Sequence, residues 1–219
     1  MNKIMEDRKS RVLSFMREHS YTPLKLDELF AVLDVPAEDR ASLKKLLEEM
    51  ENEGLVIKTR KERYGVPERM GLIVGKFQGN TKGYGFVLPD YGDEDLFIPS
   101  NAINGAMHGD RVISRVSRHA SGDRHKEGEI INIIERANKT IVGKFDRSEH
   151  FGFVTPDHVR LSGDIFIPRD LINGAEKGQK VVVEITKWPE KNRNAEGRII
   201  EILGYENDKG VDIMSIIRA

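Results

Sequence analysis

No cysteine occurs among the 219 residues, so disulfides and thiolate metal sites are excluded, and a reducing compartment, the cytoplasm, is the natural home. Long apolar runs are missing too. None approaches the roughly 18 residues that a membrane-spanning helix needs, and the charged opening "MNKIMEDRKSRVLSF" is no signal peptide. Nor is there an excess of charge of one sign: 35 Lys and Arg against 36 Asp and Glu leave a net charge of −1. A nucleic-acid partner would therefore have to be held by local placement of cations and by stacking, since bulk electrostatics offers no pull.

What the chain does contain is a second copy of its own pattern. "VGKF" at Val74–Phe77 returns at Val142–Phe145, "GYGFVLPD" returns as "HFGFVTPD" at His150–Asp157, and "DLFIP" as "DIFIP" at Asp164–Pro168. "INGAMHGDRVISRV" comes back as "INGAEKGQKVVVEI" at Ile172–Ile185. A near-constant offset held over this length marks two copies of a whole domain rather than a solenoid unit. Each copy reads as five short strands; in the first they are expected at Leu72–Gln78, Gly83–Leu88, Asp95–Pro99, Arg111–Ser117 and Gly128–Glu135. "SNAINGAMHG" suits a helical turn after the third strand, and the fourth-to-fifth connections, "HASGDRHKEG" and "PEKNRNAEG", are polar. That order suits a small closed Greek-key barrel of the OB type.

The first seventy residues have a different period. Val12, Phe15 and Met16 share one helical face, as do Leu26, Leu29, Phe30 and Leu33, and then Leu43, Leu46, Leu47 and Met50. Pro36 is expected to open the third helix, with Glu38 and Asp39 in its first turn, and Gly54 to close it. "LVIKTRKERYGV" then reads as a hairpin whose turn carries Lys58, Arg60, Lys61 and Arg63. Three helices followed by a basic hairpin make a winged helix-turn-helix. The fold class is thus multidomain, α plus all-β: a winged helix at 1–69, OB barrels at 70–138 and 139–206, and the start of a linker at 207–219.

Alternation along the strands sends Val87 and Ile98 into the first barrel, and leaves Tyr84, Phe86 and Phe97 outside. In the second copy Val154 and Ile167 go in while Phe151, Phe153 and Phe166 stay out. Such rings can pack on a neighbouring domain. Bases of a single strand account for more of the pattern, because each base has a π-face and stacking one on a ring is worth about 1–3 kcal/mol. Gly83 and Gly85, with Gly152 in the second copy, suggest close approach of a ligand backbone. Lys76, Lys82 and Arg111, with Lys144 and Arg169, are the candidate phosphate contacts.

On these residues a resemblance rests. "KGYGFVLPD" with "DLFIP" is similar to the paired nucleic-acid-binding strands of cold-shock domains. The whole order, a winged helix ending "KERYGVPERMG" and then two such barrels with "DLFIPSNAINGAMHGDRV", resembles the N-terminal part of the ribonuclease R group of bacterial exoribonucleases. The resemblance implies that Tyr84, Phe86, Phe97, Phe151, Phe153 and Phe166 contact RNA. Glu149 and His150 stand where the first copy has Lys82 and Gly83, so weaker or different binding is expected there. Family members continue into a catalytic domain whose aspartates hold magnesium and hydrolyse RNA from the 3′ end. By that resemblance a chain ending "GVDIMSIIRA", with Ile213, Ile216 and Ile217 on one helical face, is expected to be a fragment or truncated gene product. It would be non-catalytic and cofactor-free by itself and monomeric, with single-stranded RNA and its own catalytic domain as partners.

Weaker signals point elsewhere or nowhere. The acidic loop "DYGDED", Asp90 to Asp95, lacks the convergence from several elements that metal-assisted hydrolysis needs and reads as a solvated turn. His19, His108, His119, His125, His150 and His158 show no ligand spacing, so zinc is not expected. Trp188 either stacks a base or caps a barrel edge. Lys58, Arg60, Lys61 and Arg63 would touch a duplex or a partner protein, whereas the acidic "LEEMENE" in the third helix argues against sequence-specific major-groove reading. Two rival functions remain open at this level: a freestanding RNA chaperone or translation adaptor, and a DNA-binding regulator built on the winged helix.

Overall fold

In the computed structural model, residues 2–18, 21–92, 94–118, 126–190 and 193–218 are described; His19, Asp93, His119 and His125, named above, lie outside them. Helix α1 (Asn2–Arg17) is followed by a two-residue strand β1 (Leu24–Lys25), α2 (Leu26–Val32) and α3 (Arg40–Asn52). The apolar faces of the three helices meet. Val12, Met16, Leu29, Leu46, Leu47 and Met50 are buried together with Val56, Tyr64 and Val66 from the segment that follows. Strands β2 (Ile57–Lys58) and β3 (Arg63–Gly65) form the hairpin, and β1 adds to it in the order β1-β3-β2. This is the winged-helix arrangement. Pro36 heads a separate 3-10 turn, Ala37–Asp39, rather than the first turn of α3, and Gly54 leaves the helix in the left-handed region at φ 70°.

Two barrels follow. The first is built from β4 (Leu72–Gly79), β5 (Gly85–Pro89), β6 (Leu96–Ile98), β7 (Arg111–Arg118) and β8 (Glu127–Glu135), closed in the order β4-β5-β6-β8-β7. Strands β9 (Thr140–Arg147), β10 (Phe151–Pro156), β11 (Ile165–Pro168), β12 (Gln179–Lys187) and β13 (Glu196–Tyr205) repeat that order. All neighbours are antiparallel except the third and fifth strands of each barrel, which close it in parallel at Phe97 opposite Glu127 and Phe166 opposite Glu196. The expected helical turn is only a short 3-10 turn in each copy, Ser100–Ala102 and Arg169–Leu171. A last helix, α4 (Val211–Arg218), packs on β13 through the buried Val211 and turns Ile213, Ile216 and Ile217 to solvent.

The interiors are filled by equivalent residues. Phe77, Val87, Leu96, Ile98, Val112 and Ile130 in the first barrel match Phe145, Val154, Ile165, Ile167, Val181 and Ile199 in the second, all buried. The two phenylalanines demand a bare backbone across from them. A Cβ on Gly85 would collide with the Phe77 ring, and one on Gly152 with the Phe145 ring.

The barrels are joined by side chains as well as by the chain. Met107 leaves the first barrel and is buried in the core cluster of the second. The guanidinium of Arg136 lies 4.3 Å from the centre of the Trp188 ring, and its Nη1 donates to the fully buried Asp110 at 2.9 Å. Trp188 therefore caps the second barrel at the junction. His108 stacks on His158 with ring centres 4.8 Å apart, and its Nδ1 is buried without a hydrogen-bond partner. Burial, then the nearby His158, Arg160 and Lys76, hold the His108 imidazole below its ordinary value of 6.5, against a smaller pull from Asp110.

Two tests follow from this packing. Gly152→Ala is expected to lower stability by about 1–3 kcal/mol through overpacking, read as a drop in the thermal midpoint. A depressed imidazole value in the folded protein means that the unfolded chain takes up the proton first, so the contribution of the neutral stack is intact above pH 6.5 and is lost as pH falls below it. The thermal midpoint should therefore decline between about pH 7 and pH 5, and His108→Gln should flatten that decline.

Candidate nucleic-acid interface

Because positions 85 and 152 face inward, their neighbours face outward. Phe86 pairs across the sheet with Phe97, and Phe153 with Phe166. Tyr84 and Phe151 complete each group from the strand start. In the first barrel the ring centres are 6.0 Å (Tyr84–Phe86), 5.5 Å (Tyr84–Phe97) and 5.6 Å (Phe86–Phe97) apart; in the second, 5.4, 5.7 and 5.8 Å for the equivalent pairs. All six are partly exposed, and none belongs to a core cluster. The rings meet tilted or edge-on, with interplanar angles from 40° to 84°, so they are not stacked face to face on one another.

The glycines play a different part from the one expected. Gly85 and Gly152 are buried and bare for the inner phenylalanines, not for an approaching ligand. Gly83 is a turn residue at φ 84°, donating its N–H to the Asn80 carbonyl at 3.0 Å.

The cations divide into two sets. Lys76, Lys82 and Arg169 are exposed and have no ion-pair partner among the described residues. Lys144 is exposed but 3.3 Å from Glu206. Arg111 is committed elsewhere: Nε and Nη2 donate to Asp90 Oδ2 at 3.2 and 2.6 Å, and Nη1 to the Glu53 carbonyl at 2.8 Å. Its guanidinium ties the first barrel to the end of α3, where Ile134 also packs on Gly54. Lys180 keeps the equivalent pair with Asp157 in the second barrel. In the wing, Lys58 pairs with Glu62 at 3.0 Å, which raises its ammonium above the usual value, and Arg63 binds Glu28 and the Pro23 carbonyl, both at 3.0 Å. Arg60 and Lys61 at the tip are exposed without such partners among the described residues.

Some features had no sequence signal. A cleft of about 400 Å³ opens between the barrels beside Tyr84, with Asn101, Asn104, Arg160 and Arg193 on its walls; only the relative placement of the two copies brings these together. Two acids of the acidic loop sit in ion pairs, Asp90 with Arg111 and Glu94 with Lys126. Among the described residues, no three His, Asp or Glu side chains gather as a metal set, and no helix is long and apolar enough to cross a membrane.

Known proteins are similar to this chain in sequence and in fold. Residues 75–133 match the ribonuclease B OB domain family and residues 153–219 the cold shock domain family. Ribonuclease R of Vibrio parahaemolyticus is 31% identical over 94% of this chain, and that of Escherichia coli 34% identical over 90%. The chain spans about a quarter of the length of these curated relatives. A solved Mycoplasma genitalium ribonuclease R, in complex with ribose-methylated single-stranded RNA, shares the fold over 66% of this chain and 23% of its own, with a TM-score of 0.57 at 21% identity.

Since Arg111 fastens two bodies together, Arg111→Ala is expected to let the helical body tumble separately from the barrels. Nuclear relaxation should then report a shorter correlation time for α1–α3 than for the strands, with the barrel spectrum unchanged away from positions 111 and 90.

Proposed function

We infer that this chain, which corresponds to the N-terminal region of a ribonuclease R, binds single-stranded RNA on the outer ring faces of its barrels and guides it toward a 3′-to-5′ exoribonuclease centre. The observation that carries this is the duplicated triad: three partly exposed rings on adjacent strands, tilted away from mutual stacking, present in both copies. Bases lie on the rings and phosphates meet Lys76 and Lys82 in the first barrel, and Arg169 and Lys144 in the second. Recognition is largely independent of sequence, since stacking accepts every base and phosphate contacts carry no code.

Arg60 and Lys61 at the wing tip suit a duplex backbone or a partner protein. The bodies divide near residues 69, 138 and 206. We assign hydrolysis and its magnesium to the centre that receives the strand, and the cytoplasm as the place where a monomer works.

Fluorescence anisotropy with an unstructured RNA tests this reading. Affinity should fall with salt at a log-log slope of about −0.7 per phosphate neutralised. Phe86→Ala with Phe97→Ala should weaken binding by about tenfold or more, at 1–3 kcal/mol per lost stack, while circular dichroism stays unchanged. Unchanged affinity in that variant, or preference for duplex DNA over the RNA, overturns it.

A further inference from the structure

The two ring faces differ at the position directly across the sheet from the central ring. Gln78 lies opposite Phe86 in the first barrel, and Asp146 lies opposite Phe153 in the second. Both side chains are on the outside, since their neighbours Phe77 and Phe145 fill the interiors. A directly opposed pair brings Cβ atoms to about 4.5–5.5 Å, so each polar tip stands at the rim of the central ring. There it meets the hydrogen-bonding edge of any base laid on that ring. A glutamine amide both donates and accepts and so suits every base. An ionised aspartate only accepts.

We propose that the second ring face selects among bases where the first does not, with Asp146 as the selecting residue: its carboxylate favours guanine and disfavours uracil. Guanine offers two adjacent donors, N1–H and N2–H, to the two carboxylate oxygens. Uracil offers one N–H between two carbonyl oxygens, which the carboxylate repels. The inference rests on the reading of the ring faces as stacking platforms for RNA.

The surroundings agree. Asp146 Oδ1 lies 3.0 Å from Lys177 Nζ, but both side chains are mostly exposed, so the pair does not withhold the carboxylate from a ligand. Oδ2 has no partner among the described residues. The Lys177 ammonium has further donors for the phosphate of the same nucleotide. In the first barrel the residue at the place of Lys177 is His108, which is occupied in the stack with His158. Glu149, almost fully exposed beside the ring-bearing strand, makes this face less hospitable to phosphate. The contribution of the base edge then weighs more.

The test uses the full chain with the first face silenced by Tyr84→Ala, Phe86→Ala and Phe97→Ala. Binding of heptauridine is compared with that of a heptamer alternating guanosine and uridine. The mixed heptamer should bind about fivefold tighter or more, within what a two-point base contact supplies. Adding Asp146→Asn, which restores a donor at the same position, should bring the ratio below about twofold. Equal affinities, or a preference that survives Asp146→Asn, overturns the inference while leaving the platform reading intact. If neither heptamer binds the silenced chain although the parent binds both, the second face is no platform, and selection falls with it. Adding Phe153→Ala and Phe166→Ala separates these cases, because platform binding must disappear with the rings.

Discussion

In each barrel a phenylalanine rests against a stretch of neighbouring strand with no side chain to resist it, Phe77 by Gly85 and Phe145 by Gly152. Everything outward follows from that inward fit. Successive residues of a strand point to opposite faces, and a slip of one residue would bury the wrong set. Holding position 85 inside obliges Phe86, and Tyr84 before it, to stand outside beside Phe97. The same logic places Phe151 and Phe153 beside Phe166.

A chain with a net charge of −1 still presents local positive charge, because the structure sorts its cations. Arg111, Lys58 and Arg63 are taken up by internal carboxylates and carbonyls, and Lys144 shares its charge with Glu206. Lys76, Lys82, Arg169, Arg60 and Lys61 face solvent without such partners among the described residues. The neutral total conceals a division between charges that assemble the protein and charges left facing solvent.

Much of this was legible in the sequence, for identifiable reasons. A long internal repeat and strict alternation placed both barrels and both ring triads to within a residue or two. Helical spacing of Val12, Leu29 and Leu47 found the first core. Contacts between bodies were not legible, since nothing local marks Met107 for the neighbouring barrel, Arg111 for the Glu53 carbonyl or His108 for His158. The glycines misled because bare backbone serves an inner ring as well as an outer ligand, and spacing alone does not separate the two. Strand β1, only two residues long, is too short to display a period.

Met107 crosses from one barrel into the core of the other, and Arg136 closes on Trp188 beside it. The two platforms are consequently fixed on one frame instead of swinging on a tether. For a polymer that lies on both, the second attachment becomes intramolecular, at an effective concentration set by the frame. On the proposed reading, oligomer length would then govern retention: short pieces would engage a single ring face and leave quickly, whereas pieces long enough to reach across would be held.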